Sequence, residues 1–158
     1  MGAFLFSKTL DNSFFICSYS LGDSWIFTKA EEGNKLPTQL EENSTLSPST
    51  SLHTKESALC EFKNDKRIIR IGSHSVFEFN NENVINLTRG SMLLYLEKPS
   101  DITIQSDLSK IRLVGKFTII IDCTSNGGFK IIPLEGKGKI IPDQGEPKDI
   151  FRGRLTMV

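Results

Sequence analysis

At 158 residues, with 19 Lys+Arg against 19 Asp+Glu, the chain fits one domain, and its balanced charge excludes a nucleic-acid footprint or a polybasic membrane patch. A domain of this size buries roughly two-thirds of its unfolded surface, so a core can form without disulfides or metal. No apolar run reaches the roughly 18 residues of a membrane-spanning helix.

Residues 1–30 gather aromatics: Phe4, Phe6, Phe14, Phe15, Tyr19, Trp25 and Phe27. Two readings of this start stay open. Phe4-Leu5-Phe6 and Phe14-Phe15-Ile16-Cys17 fit a degraded or mis-started signal peptide, although Ser7, Lys8, Thr9, Asp11 and Asn12 interrupt the apolar stretch and no clean cleavage site follows. The same residues fit an ordinary strand or helix packed on the domain. Ser24-Trp25-Ile26-Phe27-Thr28 predicts a strand. Residues 29–51 then turn polar, and the Ser/Thr-rich stretch 43–51, with Pro48, predicts exposed loop. A soft boundary falls near residue 40, giving an N-terminal segment 1–40 and an all-β domain 41–158.

From there the pattern is regular. Strands are predicted over residues 57–62, 67–71, 75–79, 84–87, 91–96 and 101–105, with polar turns at Lys63-Asn64-Asp65-Lys66 and Asn80-Asn81-Glu82-Asn83. The clearest segment is 111–122. Ile111, Leu113, Phe117, Ile119 and Ile121 share one face with Gly115 in register, while Arg112, Lys116, Thr118 and Asp122 take the other; Val114 and Ile120 are apolar exceptions. Period-two alternation means a half-buried strand or a strand bent at Gly115, with the glycine expected at a bend or a close backbone contact. A turn is predicted at Thr124-Ser125-Asn126-Gly127-Gly128, and strands at 129–132, 139–141 and 154–158. Glycines at 72, 90, 115, 136 and 153 punctuate the strands. Short strands at such spacing predict a β-sandwich, a barrel or a β-solenoid-like stack of short antiparallel strands.

The ordered set Arg70-Ile71-Gly72-Ser73-His74-Ser75-Val76-Phe77, Leu87-Thr88-Arg89-Gly90-Ser91-Met92-Leu93, Ile111-Arg112-Leu113-Val114-Gly115-Lys116-Phe117 and Leu134-Glu135-Gly136-Lys137-Gly138-Lys139-Ile140 resembles the extracytoplasmic FecR domain over residues 45–158. Two departures stand out. The family's glycine-threonine pair is here Gly115-Lys116, and the family often continues beyond a strand like Gly153-Arg154-Leu155-Thr156-Met157-Val158, so the resemblance implies truncation at the C-terminus. FecR-like proteins relay a ligand-occupied outer-membrane receptor to a sigma factor. The relaying versions carry a cytoplasmic anti-sigma region and a membrane span, and neither is visible here. The resemblance therefore implies a stand-alone, non-catalytic binding or signalling module, periplasmic or extracellular, recognising an envelope protein or surface ligand. The sigma-regulating role has no support in these residues.

No catalytic, cofactor-binding or metal-ligating residue is assigned. His53 and His74 with Cys60 match no metal spacing and are expected as surface imidazoles. Ser73-His74-Ser75 lacks a nucleophile-elbow sequence. Gly136-Lys137-Gly138-Lys139 lacks P-loop spacing and is expected as a β-turn. Glu31-Glu32 and Glu41-Glu42 read as solvated loop. Cys17, Cys60 and Cys123 are too widely spaced for a zinc module; a Cys60–Cys123 bridge is open, and buried free thiols are the expectation. A partner can bind such a domain by adding a strand to a sheet edge. The alternative is a structural or carbohydrate-binding surface domain, with Tyr95, Trp25 and Phe129 as candidate platforms, each expected in the core.

Overall fold

Alternating apolar and polar residues pair into strands, and in the computed structural model, which describes residues 15–29 and 35–158, the described chain is all β with no helix. In chain order the strands are β1 (Phe15–Leu21), β2 (Ser24–Lys29), β3 (Lys35–Gln39), β4 (Thr45–Leu46), β5 (Thr50–Thr54), β6 (Leu59–Lys63) and β7 (Arg67–Ile71). They continue as β8 (Val76–Asn81), β9 (Val84–Leu96), β10 (Ser100–Gln105), β11 (Lys110–Cys123), β12 (Phe129–Pro142), β13 (Lys148–Ile150) and β14 (Thr156–Met157).

The strands form one open mixed sheet that folds over itself into two layers. The first layer runs β4-β1-β6-β7-β9-β11-β12-β14. The second runs β3-β2-β5-β8-β9-β10-β11-β12-β13. Strands β9, β11 and β12, of 13, 14 and 14 residues, pass through both. Each holds a glycine with positive φ where it changes layer: Gly90 (+89°), Gly115 (+141°) and Gly136 (+91°).

All three glycines are required by contact as well as by angle; a Cβ on Gly90 would lie 2.5 Å from the Cα of Ser75. A Cβ on Gly115 would overlap the Lys137 carbonyl oxygen and lie 2.6 Å from the Cα of Gly138. A Cβ on Gly136 would overlap the Lys116 carbonyl and lie 2.6 Å from the Cα of Phe117. Backbones that approach this closely leave room only for hydrogen.

The layers meet face to face. Phe15 of β1 packs edge-on against Phe79 of β8, ring centroids 4.9 Å apart. Ser24 of β2 touches the Cys60 thiol of β6 at 3.1 Å. The apolar side chains of the inward face predicted for residues 111–122 are buried, Phe117 and Ile119 included, and join one continuous apolar core.

Several local expectations change. Gly136-Lys137-Gly138-Lys139 is strand interior, paired to 114–117 of β11, not a turn. The segments 84–87 and 91–96 are one bent strand, as are 129–132 and 139–141, because glycine bends a strand without ending it. The Ser/Thr-rich stretch contributes β4 and β5: Leu46 and Leu52 enter the core, and Thr50, Ser51 and Thr54 are buried with them. Thr54 shows how such a residue is tolerated: its hydroxyl donates to the Gly72 carbonyl at 2.7 Å and accepts from the Ser75 N–H at 2.8 Å. Not every pairing is antiparallel, since β9 and β10 run parallel. Strands on both sides of residue 40 pair with one another, β1 with β6 and β2 with β5. The open Cys60–Cys123 pairing does not occur; all three cysteines are free. The signal-peptide reading of Phe4-Leu5-Phe6 concerns residues outside those described, as does Glu31-Glu32.

Candidate functional site

The chemistry of the surface concentrates in three places that the strand register fixes. The first is one end of the sandwich, where residues 65–66, 82–83 and 98–99, from the connections β6–β7, β8–β9 and β9–β10, line a cleft of about 430 Å³. Asn64 shapes its wall, its side-chain oxygen accepting the N–H groups of Lys66 and Arg67, both at 3.0 Å. Arg67 then opens β7 on the inward side, in register with Ile69 and Ile71, and is 2 % exposed. Its guanidinium crosses between the layers. Nη1 donates to the Glu82 carbonyl, Nη2 donates to the Asn83 side-chain oxygen at 3.3 Å, and Nε has no partner. Burial pushes the Arg67 pKa down, and the Glu82 charge partly offsets this. The Glu82 carboxylate itself is shared with Lys66 at 3.5 Å.

The second place is the outer face of the first layer. Cross-strand pairing places Tyr19, Glu61, Arg70, Leu93, Ile120 and Ile132 in one row. Its apolar half, Leu93, Ile120 and Ile132, is only partly buried. Ile68, Tyr95 and Thr118 lie in the next row, and Leu134 stands exposed at the β11–β12 irregularity. The apolar exception Ile120 thus belongs to a stripe. The polar half centres on Glu61, which takes Arg70 at 2.6 Å, Ser18 at 2.9 Å and Lys63 at 3.1 Å. Burial pushes the Glu61 carboxyl up, but these three hydrogen bonds outweigh it and hold the group down at about 2.

The third place is the outer face of the second layer. Trp25 and Phe27 are half-buried there, and the His53 ring lies tilted against Phe27, ring centroids 4.5 Å apart. The register continues from Phe27 through Ser51, Glu78 and Asn86 to Gln105. Ser51 Oγ lies 3.1 Å from His53 Nε2. This Ser–His contact, two residues apart on β5, was not visible as a motif. With Ser51 only 4 % exposed, its hydroxyl is closed to a substrate carbonyl.

The remaining sequence candidates scatter. His74 is an exposed turn residue at φ +53°, and Ser75 is buried, its hydroxyl accepting the Ser91 N–H at 3.1 Å. Among the described residues no three His, Cys, Asp or Glu side chains gather as a metal cluster. Glu41 and Glu42 are exposed. Burial pushes the Cys17 thiol up to about 11 and raises that of Cys60, which makes both poor nucleophiles. Of the three aromatic candidates only Phe129 is core; Trp25 and Tyr95 reach the surface, on opposite layers. Arg67 opens the strand predicted over residues 67–71 and has no role assigned from sequence. Its signal was parity, because Arg67, Ile69 and Ile71 alternate on one face while Arg70 falls on the other.

Comparisons with protein-family models, with curated proteins and with solved structures return no match. No described helix is long and apolar enough to cross a membrane.

Proposed function

We propose that this chain is a non-catalytic FecR-like binding module of the bacterial cell envelope, outside the cytoplasm, and that it docks an envelope protein on the outer face of its first layer. The observation that carries this reading is the stripe Leu93–Ile120–Ile132 beside Tyr95 and Leu134, on a sheet face that water would otherwise favour as polar. Glu61, Arg70 and Lys63 give that stripe a charged flank, as at an interface with an apolar centre and a polar rim. Strand addition is the weaker route. The outermost strands β4, β13 and β14 have 2, 3 and 2 residues, and β3 carries Pro37, which has no N–H to offer. A photo-crosslinking residue at Ile120 is expected to capture one envelope protein, whereas the same residue at Thr88, on the other layer, captures none. Equal capture from both positions, or none from Ile120, would refute the docking face.

A second reading, a carbohydrate-binding surface domain, draws on Trp25 and Phe27 beside the polar row Glu78–Asn86–Gln105. Half-exposed aromatics next to hydrogen-bonding side chains suit sugar rings. A glycan array tests it, with Trp25→Ala as the control that must lose the signal.

A further inference from the structure

The end cleft holds a buried cation that makes a salt bridge with none of the described carboxylates; Glu82, whose charge partly offsets its burial, is paired with Lys66 instead. Arg67 is 2 % exposed, uses two of its five N–H donors on neutral oxygens, and leaves Nε buried and unpartnered. A buried charge is tolerated when it is paired and hydrogen-bonded, and Arg67 forms no salt bridge among the described residues. Its weakest contact is the 3.3 Å bond from Nη2 to Asn83, a neutral side chain on the β8–β9 turn. A ligand carboxylate that displaced the Asn83 oxygen would take Nη2 and Nε together, in the bidentate geometry that guanidinium favours.

The rest of the cleft narrows the ligand. Asp65 and Asp101 present carboxylates, Lys98 an exposed ammonium, Ser100 a hydroxyl, and Glu82 and Lys66 an ion pair at 3.5 Å. Asp101 is ion-paired with Arg112, whose Nε donates to it at 2.8 Å. A dianionic phosphate would meet those carboxylates at close quarters. A ligand with one acid group and several hydroxyls would instead donate to them while the acid takes Arg67. The volume, about 430 Å³, lies within the range of small-molecule sites. We propose that this cleft binds a sugar acid, its carboxylate seated on Arg67 and its hydroxyls on Asp65, Asp101 and Ser100. The site is independent of both docking readings above, since it shares no residue with either face.

The test titrates the full chain with galacturonate, galactose, acetate and inorganic phosphate, following the Arg67 Nε–H resonance by NMR and the heat by calorimetry. Galacturonate is expected to saturate and to move that resonance. Galactose and acetate should each bind at least about tenfold more weakly, the equivalent of 1.4 kcal/mol. Asn83→Asp supplies the missing carboxylate from within the chain, so it should raise the melting temperature and abolish galacturonate binding. Lys98→Ala, at an exposed position, should weaken galacturonate binding without changing the melting temperature. The assignment falls if the Nε–H resonance stays unmoved by galacturonate, if phosphate or acetate binds as well, or if Asn83→Asp binds galacturonate like the parent.

Discussion

Glu61 is a carboxylate tied to the fold by three partners. Its side chain is 13 % exposed, and Arg70, Ser18 and Lys63 hold the carboxyl down at about 2 against an ordinary value of 4.5. A carboxylate whose folded pKa is depressed stabilises the fold above its unfolded pKa and loses that contribution as pH falls through the folded value. The window here runs from about 4.5 down to about 2. A displacement of this size corresponds to about 3 kcal/mol before screening, and solvent around the half-exposed Arg70 and Lys63 reduces it to about 1–2 kcal/mol. Glu61→Gln should therefore be less stable than the parent at pH 7, with the difference closing as pH approaches 2. Urea denaturation at a series of pH values measures it, and a constant difference across the series would show that the ion-paired cluster contributes nothing. At this scale the inward apolar residues were legible: alternation alone placed Phe117 and Ile119 in the core. Arg67 was not, because composition marks an arginine after Asn64-Asp65-Lys66 as solvent, and only its parity with Ile69 and Ile71 says otherwise.

At the scale of strands, glycine decides where one layer becomes the other. The bend at Gly115 was legible as a lone glycine in a continuous apolar face. Its partner was not, because Gly136-Lys137-Gly138-Lys139 looks like a turn until it is laid against β11, where Gly115 faces Gly138 and Phe117 faces Gly136. Short-range pattern cannot reveal a contact between backbones so far apart in sequence. The Ser/Thr-rich β5 escaped for a related reason, since its polar residues are satisfied by distant partners such as Gly72 and Ser75. Gly115→Val is expected to destabilise well beyond the roughly 1 kcal/mol scale of strand propensity. Valine strongly disfavours φ +141°, and its Cβ has no room beside the Lys137 carbonyl. Thermal melting reads the outcome. A variant melting at or above the parent temperature would mean that β11 does not turn here.

For the whole molecule, the question is whether the sandwich exists without its first strands. The change in composition near residue 40 suggested an N-terminal segment beside a separate domain, yet the pairing crosses that point. Strand β1 sits between β4 and β6, and β2 sits between β3 and β5. Composition is a local property, whereas a sandwich is closed by its most distant pairings, and this is why the boundary was easier to see than the contacts across it. Trimming the chain to residues 41–158 would remove Phe15, Cys17, Ile26 and Leu40 from the core. It would strip Phe79 of its ring partner and leave β5 and β6 with unpaired edges. Loss of one large buried side chain costs about 2–5 kcal/mol, and a whole domain is stable by only about 5–15 kcal/mol. Losing Phe15, Ile26 and Leu40 together would therefore consume most or all of that margin. The trimmed chain is expected to show poor amide dispersion by NMR and no cooperative melt by circular dichroism, while the full chain shows a strand-dominated spectrum and a sharp transition. A well-dispersed spectrum and a cooperative melt from residues 41–158 alone would show that β1–β3 are an addition to the fold and not part of its core.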